Sequence, residues 1–285
     1  MEADGNIGFI GAGHINSAII RGLLNDEDSF NRQRLMIATR SVESSLAAAK
    51  DFGVYTTNHI EDILAKAQYI VIGVKPQDMH ALLMQLCQHD LSEHVIITLA
   101  AGIKIEDYRK ILGDEVTIVR AMPNIAASVQ AALTGIYSDD GLSEHDENLI
   151  EDIFSAIGST AWLDDEIQLD GITALSGSGI AYFYRLMQAM AQAGEQYGFE
   201  KQELYDIITL TALGAATLAV ESIDNVEQNA DFATFIDQIA VKGGTTEQAI
   251  TVFNQQNLDE MVQTAMQKVV GRSHELGEAL TKDWA

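Results

Sequence analysis

Near its start the chain reads IGFIGAGHINSAIIRGLL, Ile7 to Leu24: an apolar run, a turn on Gly11 and Gly13, then apolar residues at helical spacing. That pattern predicts a strand, a tight turn and a helix, the opening of a βαβ unit. One glycine makes the turn and the next lets a ligand approach the backbone. The helix N-terminus behind them suits a dinucleotide pyrophosphate. The rival reading is a structural turn, and Asn16 stands where the usual third glycine would be.

The alternation continues to about Leu163. NIGFI, LMIAT, YIVIGV, HVIITLA, VTIVRAM and TGIYS are separated by amphipathic stretches, as in a parallel sheet with covering helices. YIVIGV and HVIITL are apolar throughout, the mark of strands covered on both faces. After GSTAWL the pattern changes to long Ala, Leu, Gln and Glu stretches such as AYFYRLMQAMAQAGEQYG and LYDIITLTALGAATLAVESI. The expected fold is an α/β Rossmann-type N-terminal domain, residues 1–163, and an all-α C-terminal domain, residues 164–285, joined near Asp164 to Glu166. TALGAATLAV is apolar on more than one face. Either it is a central helix or it lies in a homo-oligomer interface; the small interior of such a domain favours the interface.

With 17 basic and 42 acidic residues the formal charge is −25, which disfavours nucleic acid and anionic membranes as partners. The single cysteine, Cys87, lies in MHALLMQLC, where burial is expected, and it cannot form an internal disulfide. No signal-like segment precedes the first strand and no apolar run approaches the ~18 residues of a membrane span, so a cytoplasmic location is expected. The seven histidines show no metal-ligand spacing, and no metal site is expected.

An NAD-selective site would carry an acidic residue after the second strand, whereas this chain has Thr39, Arg40 and Ser41. A guanidinium flanked by hydroxyls suits a 2′-phosphate, so NADPH is expected, with NADH as the alternative. YIVIGV runs into Lys75 and Pro76, and the following strand into Ala100, Ala101 and Gly102, at the strand ends where a cofactor lies in this architecture. Late in the chain VKGGTTEQAI, Val241 to Ile250, reads as a helix start. Thr245 as N-cap and Gln248 three residues on form a capping-box spacing, and glycines before a helix N-terminus also suit an anion.

GFIGAG, GVKPQ, AAG, RAMPN, ALSGSG with AYFY, and GGTTEQAI occur in an order and spacing that resembles pyrroline-5-carboxylate reductases over nearly the whole chain. These are NAD(P)H-dependent enzymes of the last step of proline synthesis. The resemblance implies a helical domain interlocked with a partner's as a homodimer, and rings of dimers. It implies cofactor contacts at Gly11, Gly13, His14 and Ile15, at Arg40, Ser41 and Asn58, at Val74, Lys75 and Pro76, and at Ala100, Ala101 and Gly102. It also implies that the backbone of Gly243, Gly244 and Thr245, and the backbone and hydroxyl of Thr246, hold the imino-acid substrate, with Thr246 as the catalytic residue.

Three habitual prolines of the family are missing. Val241 and Lys242 replace Ser-Pro before the glycine pair, Ile180 replaces the proline after SGSG, and Ile125 and Ala126 replace Thr-Pro after RAMPN. A reductase from a proline-poor background and a paralogue for another cyclic imine both remain open. A 3-hydroxy acid dehydrogenase would need a lysine after its helical-domain glycines; SGSGIAYFYRL offers only Arg185. A non-catalytic dinucleotide-binding protein is the remaining alternative.

Overall fold

The computed structural model describes residues 5–25, 30–224 and 231–284. Eight strands form one sheet: β1 (Ile7–Ile10), β2 (Leu35–Ala38), β3 (Tyr55–Thr57), β4 (Tyr69–Ile72), β5 (Val95–Thr98), β6 (Thr117–Met122), β7 (Ala132–Tyr137) and β8 (Gly158–Trp162). Their order is β3-β2-β1-β4-β5-β6-β7-β8, parallel except where β7 runs against β6. All residues of β1, β2, β4 and β5 are buried, as expected for strands with helices on both faces. β3 and β8 are not among the six apolar runs. Both are short edge strands with partly exposed residues, so burial writes only a weak pattern into them.

The covering helices are α1 (His14–Asn25), α2 (Val42–Phe52), α3 (Ile60–Leu64), α4 (Pro76–Leu86), α5 (Ile105–Leu112) and α6 (Glu144–Ser155). After β8 come α7 (Gln168–Ile172), a π-helical turn over Thr173–Gly177, α8 (Gly179–Gly194), α9 (Lys201–Asp224), α10 (Phe232–Ile239), α11 (Thr245–Gln255) and α12 (Leu258–Thr281). The expected pair of an α/β Rossmann-type part and an all-α part is thus observed.

The chain divides into two compact units, Met1–Gly177 with Lys268–Ala285, and Ser178–Gln267. The junction expected near Asp164 to Glu166 falls inside the first unit. Glu166 anchors it there, accepting from Arg120 of β6 and from the Ile105 backbone N–H at the start of α5, each at 2.8 Å. The chain's last residues also return to this unit. Trp284 is 4% exposed among the α4 and α5 side chains.

In the second unit α8 packs on α9, where Gly194 leaves room for Leu204. Leu210, Leu213, Leu218 and Val220 of α9 are exposed, so α9 is not a central helix of the single chain. The expectation of no membrane-length apolar segment needs correcting: Lys201–Ser222 is long and apolar enough to cross a membrane, and little of its most apolar stretch is buried. Polar residues break it as a run, but the average over a helix tolerates them. Cys87 is another correction. It is half-buried as the C-cap of α4, because the helix ends there and turns its last residue outward.

Candidate active site

The strand order reverses between β1 and β4, and the crevice beyond their carboxyl ends is where this topology binds ligands. Gly11 closes the first turn with φ of +91°, donating its N–H to the Ala38 carbonyl at 2.8 Å. An L side chain there would be strained and would stand 3.0 Å from the Gly73 carbonyl oxygen. The first intrahelical bond of α1 runs from Ser17 N to Gly13 O, so the N–H groups of His14 and Ile15 have no intrahelical acceptor. Residues with these free donors and this bare backbone fit a pyrophosphate.

Asn16 explains the missing third glycine. Its side chain is buried and its Nδ2 donates to the Gly11 carbonyl at 2.8 Å. A Cβ on Gly73 would lie 2.4 Å from the same amide. The space the motif normally gains at its third glycine is therefore supplied by Gly73, at the end of β4.

The other expected cofactor residues stand at neighbouring strand ends. Arg40 follows β2 with its side chain 90% exposed, and its Nη1 lies 3.8 Å from Asp78 Oδ1 of α4. An exposed pair of that length is worth at most about 1 kcal/mol, so the guanidinium can turn to a phosphate. Ser41 is the N-cap of α2, its hydroxyl accepting from Ser44 N at 3.2 Å. Asn58 follows β3, where Thr57 is held by Asp62 at 2.7 Å. Val74 and Lys75 lead from β4 into α4, with Pro76 at its first turn, where a missing N–H costs nothing. Ala100, Ala101 and Gly102 follow β5, and Gly102 has φ of +79°.

Two polar ties sit beneath the later motifs. Asn124 of RAMPN donates to Ser176 Oγ of ALSGSG at 2.7 Å, joining the two motifs. Its Oδ1 caps the next turn by accepting from Ala126 N at 2.9 Å. A proline at 126 could not make that bond, so the substitution adds a cap rather than merely loosening the loop. Ile180 sits in the first turn of α8, where a proline and an isoleucine are both accommodated.

The GGTT segment lies in the second unit. Gly244, not Thr245, is the N-cap of α11, and no side chain caps it, so the expected Thr245–Gln248 box is absent. The extended backbone of Gly244 moves the helix start by one residue, and Thr245 becomes its first helical residue. Gly243 has φ of +80° and donates its N–H to Glu247 Oε2 at 2.8 Å, while Gly244 N donates to the Val241 carbonyl at 2.9 Å. Both glycine N–H groups are thus engaged. Those of Thr245 and Thr246, in the first turn, have no intrahelical acceptor. The Thr246 hydroxyl and the exposed Lys242 ammonium have no hydrogen bond or ion pair among the described residues. Glu247 escaped the sequence reading, although a Glu four residues beyond the first glycine was its available signal.

A family model for pyrroline-5-carboxylate reductase dimerisation matches residues 166–276, and one for NADP oxidoreductase, coenzyme F420-dependent, matches residues 6–102. The pyrroline-5-carboxylate reductase of Pseudomonas aeruginosa is 34% identical over 274 residues, 96% of this chain and 97% of its own. The chain belongs to the pyrroline-5-carboxylate reductase family. Among solved members, that of Coxiella burnetii superposes with a TM-score of 0.85 at 33% identity, covering 95% of this chain and 98% of its own. The Streptococcus pyogenes enzyme gives 0.81 at 28%, with 96% and 99% covered. Membership of this family also removes the 3-hydroxy acid dehydrogenase reading.

Proposed function

We propose that this chain reduces the C=N bond of 1-pyrroline-5-carboxylate to L-proline with NADPH, NADH being the weaker donor. The first compact unit, residues 1–177 with 268–285, acts as the NADP-binding part and the second, residues 178–267, as the helical substrate-binding and dimerisation part. The observation that carries the reading is the start of α11: two N–H donors on Thr245 and Thr246 and one uncommitted hydroxyl, in a family member whose β1–β4 crevice fits a dinucleotide.

NADPH, when bound, supplies the hydride. The first-turn N–H groups of Thr245 and Thr246 hold the substrate carboxylate, with Gly243 and Gly244 shaping the loop that presents them. The Thr246 hydroxyl hydrogen-bonds the ring nitrogen and orients the imine carbon. The imine arrives protonated, so hydride adds to carbon, the π pair moves to nitrogen, and nitrogen keeps its proton. No strong acid is needed, in keeping with a segment that has no histidine.

The reading also has the chain work in the cytoplasm as a homodimer, with rings of dimers as the larger assembly. The exposed apolar side chains of α9 support a second copy, rather than lipid, as the cover of that helix. A second reading, reduction of a different cyclic imine, is favoured by one observation, the Lys242 ammonium beside the glycine pair, which has no partner among the described residues. Purified wild type and Thr246→Ala, assayed with pyrroline-5-carboxylate and a six-membered homologue, separate these. The proposal expects turnover of the five-membered ring and a drop of about 10- to 100-fold in kcat/KM in the variant, with NADPH binding retained. NADPH oxidation with the homologue alone would select the second reading. Tight NADP binding without turnover on either ring would mark a non-catalytic protein.

A further inference from the structure

We propose that the segment from Gly277 of α12 to Trp284 is a positioning element for the cofactor loop Ala100–Gly102, acting through Trp284, Tyr108 and Gly277. The inference rests on the cofactor reading of that loop given above. Trp284 is buried and fixed from two sides. His80 of α4 stacks on its ring at 5.8 Å between centroids, and Tyr108 of α5 meets it edge-on at 6.1 Å.

Tyr108 passes the contact to the loop. It is fully buried, and its hydroxyl lies 2.6 Å from Thr98 Oγ1, on the last residue of β5. The same Thr98 oxygen accepts from Ala100 N at 3.4 Å. Burial pushes the phenol up to about 12, so it stays a neutral hydroxyl at any working pH. Trp284 therefore backs the ring whose hydroxyl fixes the oxygen on which the loop begins.

The other end of the loop is gripped by α12. A Cβ on Gly277 would stand 1.9 Å from the Gly102 carbonyl oxygen, and one on Gly102 would stand 2.5 Å from the Ser273 carbonyl oxygen. Backbone meets backbone here, which only glycine permits. Thr281, three residues before Trp284, donates its hydroxyl to the Gly277 carbonyl at 3.1 Å, tying the tail to the contact point. A plug that served stability alone could sit anywhere along the α4–α5 groove. These contacts instead converge on both ends of a three-residue loop, and Ala101 between them is held by neither.

The test uses the full chain with Tyr108→Phe, Thr98→Val, Thr98→Ser, Trp284→Phe and Trp284→Ala. NADPH affinity is read by nicotinamide fluorescence, together with KM for NADPH, KM for the imine, kcat and thermal unfolding. Loss of one ordering hydrogen bond in Tyr108→Phe or Thr98→Val should weaken NADPH binding about 3- to 10-fold, with kcat and imine KM within about twofold of wild type. Thr98→Ser should restore wild-type affinity. Trp284→Ala should weaken it further than Trp284→Phe, in protein shown to be folded at the assay temperature. Wild-type NADPH affinity in Tyr108→Phe and Thr98→Val, whatever happens to their unfolding temperatures, overturns the proposal. The titration needs no imine, so wild-type protein that binds NADPH without turning over pyrroline-5-carboxylate sinks the reaction reading and leaves this one standing. Wild-type protein that binds no NADPH overturns both.

Discussion

Glu247 is the residue whose role the start of α11 makes most specific. Its carboxylate stabilises the left-handed Gly243 turn, yet it places a negative charge beside the donors assigned to the substrate carboxylate. Glu247→Gln keeps an acceptor for Gly243 N and removes the charge. An exposed charge at a helix end is worth about 0.3–1 kcal/mol, so KM for the imine should fall about 2- to 5-fold with kcat little changed. Steady-state kinetics on the two proteins decide it, and a KM equal to or above wild type would mean that the charge does not oppose the substrate. Asn16 shows the limit of reading at this scale. Its departure from the glycine motif was visible in the chain, but the Gly73 that accommodates it lies far along the sequence, and no local pattern joins the two.

At the scale of the element, α6 carries the clearest local code. Ser143 accepts from Asp146 N at 3.1 Å while Asp146 Oδ2 accepts from Ser143 N at 3.3 Å, a reciprocal cap. Tyr69 of β4 adds its hydroxyl at 2.6 Å and so ties the helix start to the sheet. Burial works to raise the Asp146 carboxyl, but the bonds from Ser143 and Tyr69 outweigh it and hold it below the usual carboxylate range. Its contribution to stability is therefore complete above the ordinary value of 3.8 and is lost as the pH falls through the lower folded value. Ser143→Ala should cost about 1 kcal/mol at neutral pH, a fall of about 2–4 °C in Tm, narrowing below about pH 3.8. Thermal melts across that range test it, and a constant gap down to the most acid point would refute the linkage. Apolar runs disclosed β1, β2, β4 and β5 in the chain, because burial on both faces permits little else. The start of α11 was misplaced by one residue, since both Gly244 and Thr245 are acceptable N-caps and the backbone chose between them.

For the whole molecule, the second unit sets the question of assembly. α9 shows Leu210, Leu213 and Leu218 to solvent in the single chain, a face that folding alone does not cover. Leu213→Glu should convert the dimer to monomer at micromolar concentration, because an unpaired charge in an apolar interface costs several kcal/mol. Light scattering coupled to size exclusion measures this. A dimer that persists in the variant would place the interface elsewhere. The sequence alone determined the α/β-then-α succession, the glycine turn at Gly11, the candidate strand ends and the family, because periodicity and motif spacing are local properties of a chain. Only the tertiary structure decided that Gly73 makes room for Asn16, that Asn124 meets Ser176, that Glu247 takes the Gly243 N–H, and that Trp284 returns to α4 and α5. Three of these four join residues far apart in the chain, and the fourth depends on which of several rotamers and helix starts packing selects; neither is written in any local pattern of the chain.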